Sequence, residues 1–406
     1  MEKIEIVNLV QQWGSPCYLF RSNDFCDNFM NLVNTFREIY PNYIPAYSYK
    51  TNYTPYICKL VKQIGGYAEV VSDMELSLAR KIGYSPNQII YNGPNKGVMM
   101  EDHLLNGGIS NIDHMCEAKR VINLAKKNPC QTIKIGIRIN TDVGAGYTSR
   151  FGIDTTSNEF KEIVTLFKET PNIRLVGLHL HISRARSLEA WERRIKNVLK
   201  VADEIFPIDT PDYIDLGSGM FADMEETLKK QFSTKVPSYK DYAEVVGGEM
   251  AKHYNNVNKK PILFTEPGTT VVSRYLSLIT TVQCLKTIKG NNYAIVDSDI
   301  HNAGETCIYT KIPYTLYPQM LSQNSLNNVD IVGYTCLEQD CIYKKMPEYV
   351  SAGDIIEFRN VGGYSIVYKP PFILPNCRMV TTTIDGKLKE IKRAETFDDV
   401  FKTYFF

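Results

Sequence analysis

Four features that could take part in chemistry lie in or directly after short apolar runs of this chain. They are a lysine, Lys50, two alternating histidines, His179 and His181, a glycine loop, Gly217-Ser218-Gly219, and a carboxylate, Glu266. A lysine amine can act as a nucleophile toward a carbonyl group, and a glycine loop can present backbone N–H groups to a phosphate. These residue types could therefore supply a nucleophile, phosphate contacts and acid–base groups, provided that the fold brings them together.

Each of these residues also has an ordinary structural explanation. A lysine after a strand is usually a solvated surface residue, and two histidines that share one face of a strand can be core residues. Glycine after a strand commonly makes a turn, and a glutamate before a proline can simply favour a helix N-terminus. Taken singly the residues are weak evidence, and their order along the chain carries more.

Eight apolar runs alternate with longer segments of helical character. We predict a strand for each run, at residues 44–49, 67–71, 89–91, 109–112, 133–139, 175–182, 213–216 and 262–264. Between the runs, Thr54-Pro55 can begin a helix, Gly65-Gly66 can end it, and Ser72 with Glu75 fits a capping box. The repeated strand–helix unit predicts an α/β fold, a (β/α)8 TIM barrel, with a doubly wound sheet as the structural alternative. In a barrel the C-terminal strand ends face one mouth, so the polar residues would converge there.

The composition disfavours several other classes of protein. The 406 residues are 44% hydrophobic and 22% charged with a formal net charge of +1, which leaves no electrostatic footprint for nucleic acid or an anionic membrane. The ten cysteines form no CxxC pair or regular framework, which indicates reduced thiols. The N-terminus lacks the apolar core of a signal peptide, and no stretch approaches the roughly 20 apolar residues that span a bilayer. We therefore expect a cytoplasmic globular protein whose partner is a small molecule.

Seven motifs in order resemble those of the alanine-racemase-fold (fold type III) pyridoxal-phosphate decarboxylases. They lie at residues 47–52, 68–72, 91–96, 138–140, 151–153, 177–182 and 266–268. The chain is more similar to diaminopimelate decarboxylases than to ornithine decarboxylases. The resemblance implies a barrel at 28–275, a β-rich sandwich or barrel domain from 1–27 and 276–406, and a homodimer. Short strands predicted at 293–296, 330–332, 354–358 and 364–367 agree with that second domain.

The resemblance also implies how pyridoxal 5′-phosphate is held. Lys50 would form a Schiff base with the cofactor, His181 would stack on its ring, and Glu266 would pair with the pyridine nitrogen. The phosphate would be cradled by Gly217, Ser218, Gly219, Gly268 and Thr269. A carboxylate keeps the nitrogen protonated, so the ring can accept the electron pair released when the Cα–carboxylate bond breaks, through a quinonoid intermediate. This favours decarboxylation over the racemase branch, where the resemblance would place an arginine at the nitrogen.

Four further residues match positions of the family. Cys336 would be the proton donor that enters the partner subunit's active site, and Tyr364 would lie near phosphate and substrate. Glu69 and Arg138 match polar positions that line the cofactor pocket. From the residues alone, Cys336 could equally be an inert buried thiol, and Glu69 and Arg138 could be parts of a barrel salt bridge.

Departures from the family pattern concern the substrate. Thr269 replaces an arginine that helps to hold a substrate carboxylate, and Leu337 replaces an acidic residue that contacts the distal amine. Ser183 and Arg184 replace a glycine and a serine. We therefore predict a substrate other than diaminopimelate, either an amino acid or a conjugated or carrier-linked amino acid. Its predicted contacts are Arg184, Glu338, Asp340 and Tyr364.

Three classes of function remain open on the sequence. The first is a decarboxylase, the second an amino-acid racemase or epimerase on the same fold, and the third a non-catalytic cofactor-binding homologue. No metal site is expected in any of them.

Overall fold

The computed structural model describes residues 3–319, 324–383 and 386–406, and the chain divides into two compact units. The barrel unit comprises residues 28–221 and 236–270, and the terminal unit comprises residues 1–27, 222–235 and 271–406. The predicted barrel range of 28–275 runs through the 222–235 segment, and the predicted domain bounds stay a prediction.

Strands and helices are numbered in chain order within the described residues. The strands are β1 (Cys17–Arg21), β2 (Tyr43–Ser48), β3 (Tyr67–Val70), β4 (Ile89–Tyr91), β5 (Ile109–Ile112), β6 (Ile133–Asn140), β7 (Ile153–Asp154), β8 (Ile173–His179), β9 (Tyr213–Asp215), β10 (Ile262–Thr265), β11 (Leu276–Ile288), β12 (Asn291–Val296), β13 (Tyr314–Tyr317), β14 (Val329–Val332), β15 (Cys341–Met346), β16 (Ile355–Phe358), β17 (Arg378–Thr382) and β18 (Leu388–Lys392). The α-helices are α1 (Lys3–Trp13), α2 (Ser22–Ile39), α3 (Pro55–Gln63), α4 (Asp73–Ile82), α5 (Met99–Leu105), α6 (Met115–Lys127), α7 (Asn158–Glu169), α8 (Leu188–Ile205), α9 (Glu226–Lys229), α10 (Tyr239–His253), α11 (Thr269–Val272), α12 (Ile300–Ala303), α13 (Glu305–Tyr309) and α14 (Phe397–Phe401). Short 3-10 helices cover Tyr49–Thr51, Pro86–Gln88 and Ser273–Tyr275.

Eight parallel strands close into a barrel in the order β2, β3, β4, β5, β6, β8, β9 and β10. The last strand pairs with the first, with Leu263 opposite Tyr43 and Thr265 opposite Pro45, so no edge is left open. This closure confirms the TIM barrel and excludes the doubly wound sheet. Each predicted run coincides with one barrel strand, but β8 ends at His179, so His181 lies just beyond the strand.

Local sequence signals explain where the first barrel helices begin. Thr54 is the N-cap of α3 and Pro55 is its first residue, as predicted. At α4 the Ser72 side chain accepts a hydrogen bond from the Glu75 backbone at 3.2 Å. The Glu75 carboxylate, however, accepts from the Val71 backbone N–H at 2.7 Å, so only half of the predicted capping box forms.

The inside of the barrel is a compact apolar core. Ala46, Ile90, Val176, Tyr213 and Phe264 form one buried cluster contributed by five different strands. Burying each large side chain of this kind contributes about 2 kcal/mol to folding. The core therefore fixes the strands whose C-terminal ends carry the polar residues.

A mixed sheet forms most of the terminal unit. Its strands run in the order β15, β14, β12, β11, β1, β17 and β18, while β16 pairs with both β11 and β13. The predicted strands at 293–296, 330–332 and 354–358 are confirmed, whereas residues 364–367 form a turn. That prediction was wrong because Tyr364 has a φ of 55°, and because Gly362 packs so close to Val272 that a Cβ would collide with its carbonyl. In the described part of the chain, no helix is long and apolar enough to cross a membrane.

Candidate active site

Lys50 and Glu69 form an ion pair at neighbouring strand ends. The 3-10 turn after β2 carries Lys50, and its Nζ lies 2.5 Å from Oε2 of Glu69, near the end of β3. Ser48 donates to the same oxygen at 2.6 Å. The Lys50 side chain is 33% exposed and that of Glu69 only 1%. The amine is therefore accessible, while the carboxylate that orients it is fixed in the barrel.

Glu266, His179 and Asp215 form a buried polar cluster at the ends of β10, β8 and β9. One Glu266 oxygen lies 3.4 Å from Nε2 of His179. Among the described residues, neither ring nitrogen of His179 has a hydrogen-bond partner. Oδ2 of Asp215 has no partner among them either. Burial, and then the nearby Arg138, lowers the pKa of His179 well below its usual value. Burial, and then the charge of Glu266, raises the pKa of Asp215 well above its usual value. Buried polar atoms without partners are costly, so the cluster is suited to a polar ligand.

The donor spacing in this cluster would also fit a metal ion. One ligand atom from each of His179, Asp215 and Glu266 lies within 4.8 Å of the others. The spacing of these three atoms alone therefore does not identify the ligand, and the residues around the cluster distinguish the possibilities.

A chain of side-chain hydrogen bonds reaches Glu266 through the barrel interior. The Tyr213 hydroxyl donates to Oδ1 of Asn111 at 2.7 Å, and Nδ2 of Asn111 donates to Oδ1 of Asn92 at 2.9 Å. Asn92 in turn donates through Nδ2 to Oε1 of Glu266. Because every amide presents its NH2 group in the same direction, Glu266 meets a donor and is held as an acceptor. Sequence reasoning missed Asn92 and Asn111; the available signal was an asparagine in or directly after an apolar strand.

His181 lies against the glycine loop. The backbone N–H of Ser218 donates to Nδ1 of His181 at 3.1 Å. Gly217 has a φ of 60°, and a Cβ there would collide with the His181 side chain. Gly219 is also in the left-handed region, with a φ of 104°. The structure therefore brings together His181 and the predicted phosphate loop, and only glycine satisfies the contact at position 217.

Arg138 contacts the backbone of His181. Its Nη2 donates to the backbone carbonyl of His181 at 3.4 Å, and its Nη1 is 3.5 Å from a carboxylate oxygen of Asp113. Its Nε is buried without a hydrogen-bond partner among the described residues. The predicted position of Arg138 next to the pocket fits this geometry, in which the arginine contacts the His181 carbonyl and Asp113.

Arg194 organises the loops around His181. This fully buried side chain on α8 donates to the carbonyls of Leu216 and Ser218 at 2.8 and 2.9 Å, and to that of Ile182 at 3.0 Å. Burial lowers its pKa to about 10. Sequence reasoning missed Arg194, and the signal was a charged residue on the apolar face of an amphipathic helix.

The loop after β10 packs against the Lys50 turn. Ser48 donates its backbone N–H to the carbonyl of Pro267 at 3.1 Å, and a Cβ at Gly268 would collide with the Thr51 hydroxyl. Half-buried Thr269 follows as the first residue of α11. A lysine, a neutral imidazole, glycine turns and an anchored carboxylate thus lie in one unit, and they fit the amine, ring, phosphate and pyridine contacts that pyridoxal phosphate requires.

Of the remaining predicted residues, Arg184 lies in the barrel unit, in the segment after β8, and the other four belong to the terminal unit. Cys336 is exposed, and Glu338 and Tyr364 both line a cavity of about 800 Å³. Asp340 is buried, and its carboxylate accepts from the backbone N–H groups of Ile300 at 2.8 Å and Thr335 at 3.1 Å. Its role toward substrate stays a prediction, and the geometry gives it a structural function in this turn.

Comparisons with known proteins agree with this chemistry. Residues 26–273 match the family model described as pyridoxal-dependent decarboxylase, pyridoxal binding domain, and residues 197–362 match that of its C-terminal sheet domain. A diaminopimelate decarboxylase from Aquifex aeolicus is 25% identical over 415 residues, which covers 98% of this chain and 93% of the relative.

Solved structures show the same fold. The diaminopimelate decarboxylase of Helicobacter pylori complexed with L-lysine has a TM-score of 0.81 at 22% identity, covering 98% of both chains. The lysine/ornithine decarboxylase of Vibrio vulnificus complexed with putrescine has a TM-score of 0.75 at 17% identity, covering 94% of this chain and 98% of that one. With the family model matching more than half of its length, the chain belongs to the pyridoxal-dependent decarboxylases of fold type III.

Proposed function

We propose that this enzyme removes the α-carboxylate of an amino acid or amino-acid conjugate other than diaminopimelate. The observation that carries the decarboxylase part is the buried Glu266 carboxylate, which Asn92 holds as an acceptor in the same unit as Lys50. When bound, pyridoxal phosphate supplies an electron sink for cleavage of the Cα–carboxylate bond.

The residues of this chain have separate tasks in the proposal. The Lys50 amine is the covalent attachment point. The Glu69 carboxylate accepts a hydrogen bond from Nζ of Lys50 and can take up a proton from it. His181, whose pKa is lowered by burial, would cover the ring without adding a charge that competes with the ring nitrogen. Glu266 would accept a hydrogen bond from the protonated ring nitrogen and stabilise its charged form.

The substrate part of the proposal rests on residues that differ from the family pattern. Thr269 offers a hydroxyl where an arginine would hold a carboxylate, and Leu337 offers an apolar side chain where an acid would contact a distal amine. An unpaired ammonium group next to a leucine loses its solvation without compensation. Both changes disfavour diaminopimelate, although the curated relatives carry that name.

We further propose a cytoplasmic homodimer in which Cys336 of one subunit delivers the proton to Cα in the site of the other. All ten cysteines are free thiols, which suits a reducing compartment. Cys336 is exposed, which supports a role outside the core of its own subunit.

A mass-spectrometric screen tests the proposal. Holoenzyme would be incubated with diaminopimelate, lysine, ornithine and carrier-linked amino acids, and products would be scored for loss of carbon dioxide. We expect carbon dioxide loss from a compound other than diaminopimelate. Diaminopimelate as the best substrate would overturn the substrate part. Inversion without mass loss would indicate a racemase, and unchanged substrates with bound cofactor would indicate a non-catalytic homologue.

A further inference from the structure

A second cavity of about 370 Å³ lies in the barrel unit between the loop after β6 and the segment after β8. Its lining consists of residues 147–151 with Ser183 and Arg184. These residues contribute two guanidinium groups and four hydroxyls, and no carboxylate. The Tyr147 hydroxyl donates to the carbonyl of Ser183, which joins the two walls.

The charge of this cavity comes from its two arginines. Within the described residues neither Arg150 nor Arg184 forms an ion pair with a carboxylate, and the Arg150 guanidinium instead stacks 4.1 Å from the centre of the Phe151 ring. Arg184 has a φ of 62°, a conformation that costs a non-glycine residue about 1 kcal/mol. Backbone strain of this kind is typical of ligand-binding sites.

Two contacts connect the cavity to the cofactor pocket. The Ser183 hydroxyl lies 3.3 Å from Nε2 of His181. Arg138, which donates to the His181 carbonyl, stacks on the same Phe151 ring at 4.8 Å. A ligand held at His181 would therefore reach the cavity with its far end.

We propose that this cavity binds the distal end of the substrate and that this end is an anion, a carboxylate or a phosphate. The inference rests on the proposed function and names its substrate class. Two guanidinium groups attract an oxyanion and repel a distal ammonium, and planar guanidinium groups bind carboxylate and phosphate in a bidentate manner. Arg150 and Arg184 thus supply the positive charge that position 269 lacks, at another place in the mouth of the barrel.

Four amino acids with the same three-methylene spacer test this specificity. They end in a carboxylate (2-aminoadipate), a phosphonate (2-amino-5-phosphonopentanoate), a methyl group (norleucine) and an ammonium group (ornithine). Dissociation constants would be measured on the holoenzyme from the change in cofactor absorbance, without turnover. We expect at least one anionic probe to bind about tenfold more tightly than norleucine, and ornithine to bind more weakly than norleucine. A preference for the phosphonate indicates a phosphate-bearing substrate, and a preference for the carboxylate a free diacid.

Variants show whether the arginines cause the preference. The double variant Arg150→Gln with Arg184→Gln should abolish the preference for the anionic probes. The double variant Arg150→Lys with Arg184→Lys should keep part of that preference, which controls for a folding defect. Lys161→Gln with Lys200→Gln, on exposed faces of α7 and α8 outside the cavity, removes the same charge and should change nothing.

Failure of this inference is distinguishable from failure of the proposed function. Equal binding of norleucine and the anions, or a preference that survives the double glutamine variant, overturns the anion site even if carbon dioxide is released from another substrate. Arginine-dependent anion binding in an enzyme that releases no carbon dioxide from any compound supports the site and overturns the proposed function.

Discussion

The backbone N–H of Ser218 donates to Nδ1 of His181 at 3.1 Å, so this nitrogen is an acceptor in the neutral ring. Burial, and then Arg138 and Lys50, lowers the pKa of His181 well below its usual value. The folded protein therefore keeps His181 neutral at a pH where the unfolded chain, with a histidine pKa of about 6.5, takes up a proton. The stability that depends on neutral His181 is fully present above about pH 6.5 and is lost as the pH falls below it.

His181→Gln should remove this pH dependence. In the apoprotein, the free energy of unfolding of the wild type should fall relative to that of the variant by up to about 1.4 kcal/mol per pH unit below about 6.5. Urea denaturation between pH 5 and 7.5 measures the difference, in which other titrating groups cancel. Parallel curves for the two proteins would contradict a neutral His181.

Lys50→Ala should abolish covalent cofactor attachment and activity together, because Lys50 is an accessible amine at the end of a barrel strand and the buried Glu69 carboxylate orients it. Borohydride reduction followed by peptide mass spectrometry locates the attachment site. Lys59→Ala, an exposed lysine on α3, is the matched control and should behave like the wild type. A reduced adduct at another lysine in Lys50→Ala would show that this assignment is wrong.

Glu266→Gln should keep the cofactor bound and slow carbon–carbon bond cleavage by about a hundredfold or more. The glutamine carbonyl can still accept from Asn92, so the fold is preserved, but a neutral amide stabilises a protonated ring nitrogen poorly. Single-turnover kinetics isolate this step, and cofactor absorbance verifies occupancy. Near-normal single-turnover rates would refute the role of Glu266.

Arg194→Lys should loosen the loops that surround His181. A lysine cannot reproduce the planar fork that binds the carbonyls of Leu216, Ser218 and Ile182, and unsatisfied buried carbonyls cost about 1–3 kcal/mol each. We expect a lower melting temperature and roughly tenfold weaker cofactor binding, measured by fluorescence titration. Arg193→Lys, at the exposed neighbouring position, should leave both unchanged. Unaltered cofactor affinity in Arg194→Lys would mean that the loops hold their shape without it.

Mixing Lys50→Ala with Cys336→Ala should restore activity if sites are shared between subunits. Statistical exchange makes about half of the dimers mixed, and each contains one complete site of two, so recovery should approach about a quarter of the wild-type rate per subunit. Native mass spectrometry verifies exchange, and each variant alone is the control. Subunit exchange without recovery of activity would show that both residues act within one subunit or that Cys336 is not catalytic.

The sequence predicted the barrel because strand periodicity and helix caps are local signals. Runs such as 89–91 and 262–264 coincide with strands, since β-branched and apolar residues between turn residues favour buried parallel strands. The bond from Asn92 to Glu266 escaped prediction because it joins residues 174 positions apart. Residues 364–367 look like a strand by composition, yet the close approach of Gly362 to Val272 and the positive φ of Tyr364 go with a turn. Contacts made between distant segments are thus what the sequence pattern did not reveal.

Barrel closure also determines when the enzyme becomes competent during its synthesis. The turn with Lys50 follows β2, Glu266 follows β10, and these two strands are paired neighbours at the seam of the barrel. A ribosome-bound chain that ends before β10 has emerged therefore presents an amine without the carboxylate that completes its pocket. Long-range strand pairing is slow, and domains fold largely as units during translation. If Lys50 and Glu266 hold the cofactor as proposed, we expect its capture late in synthesis, after the seam has closed.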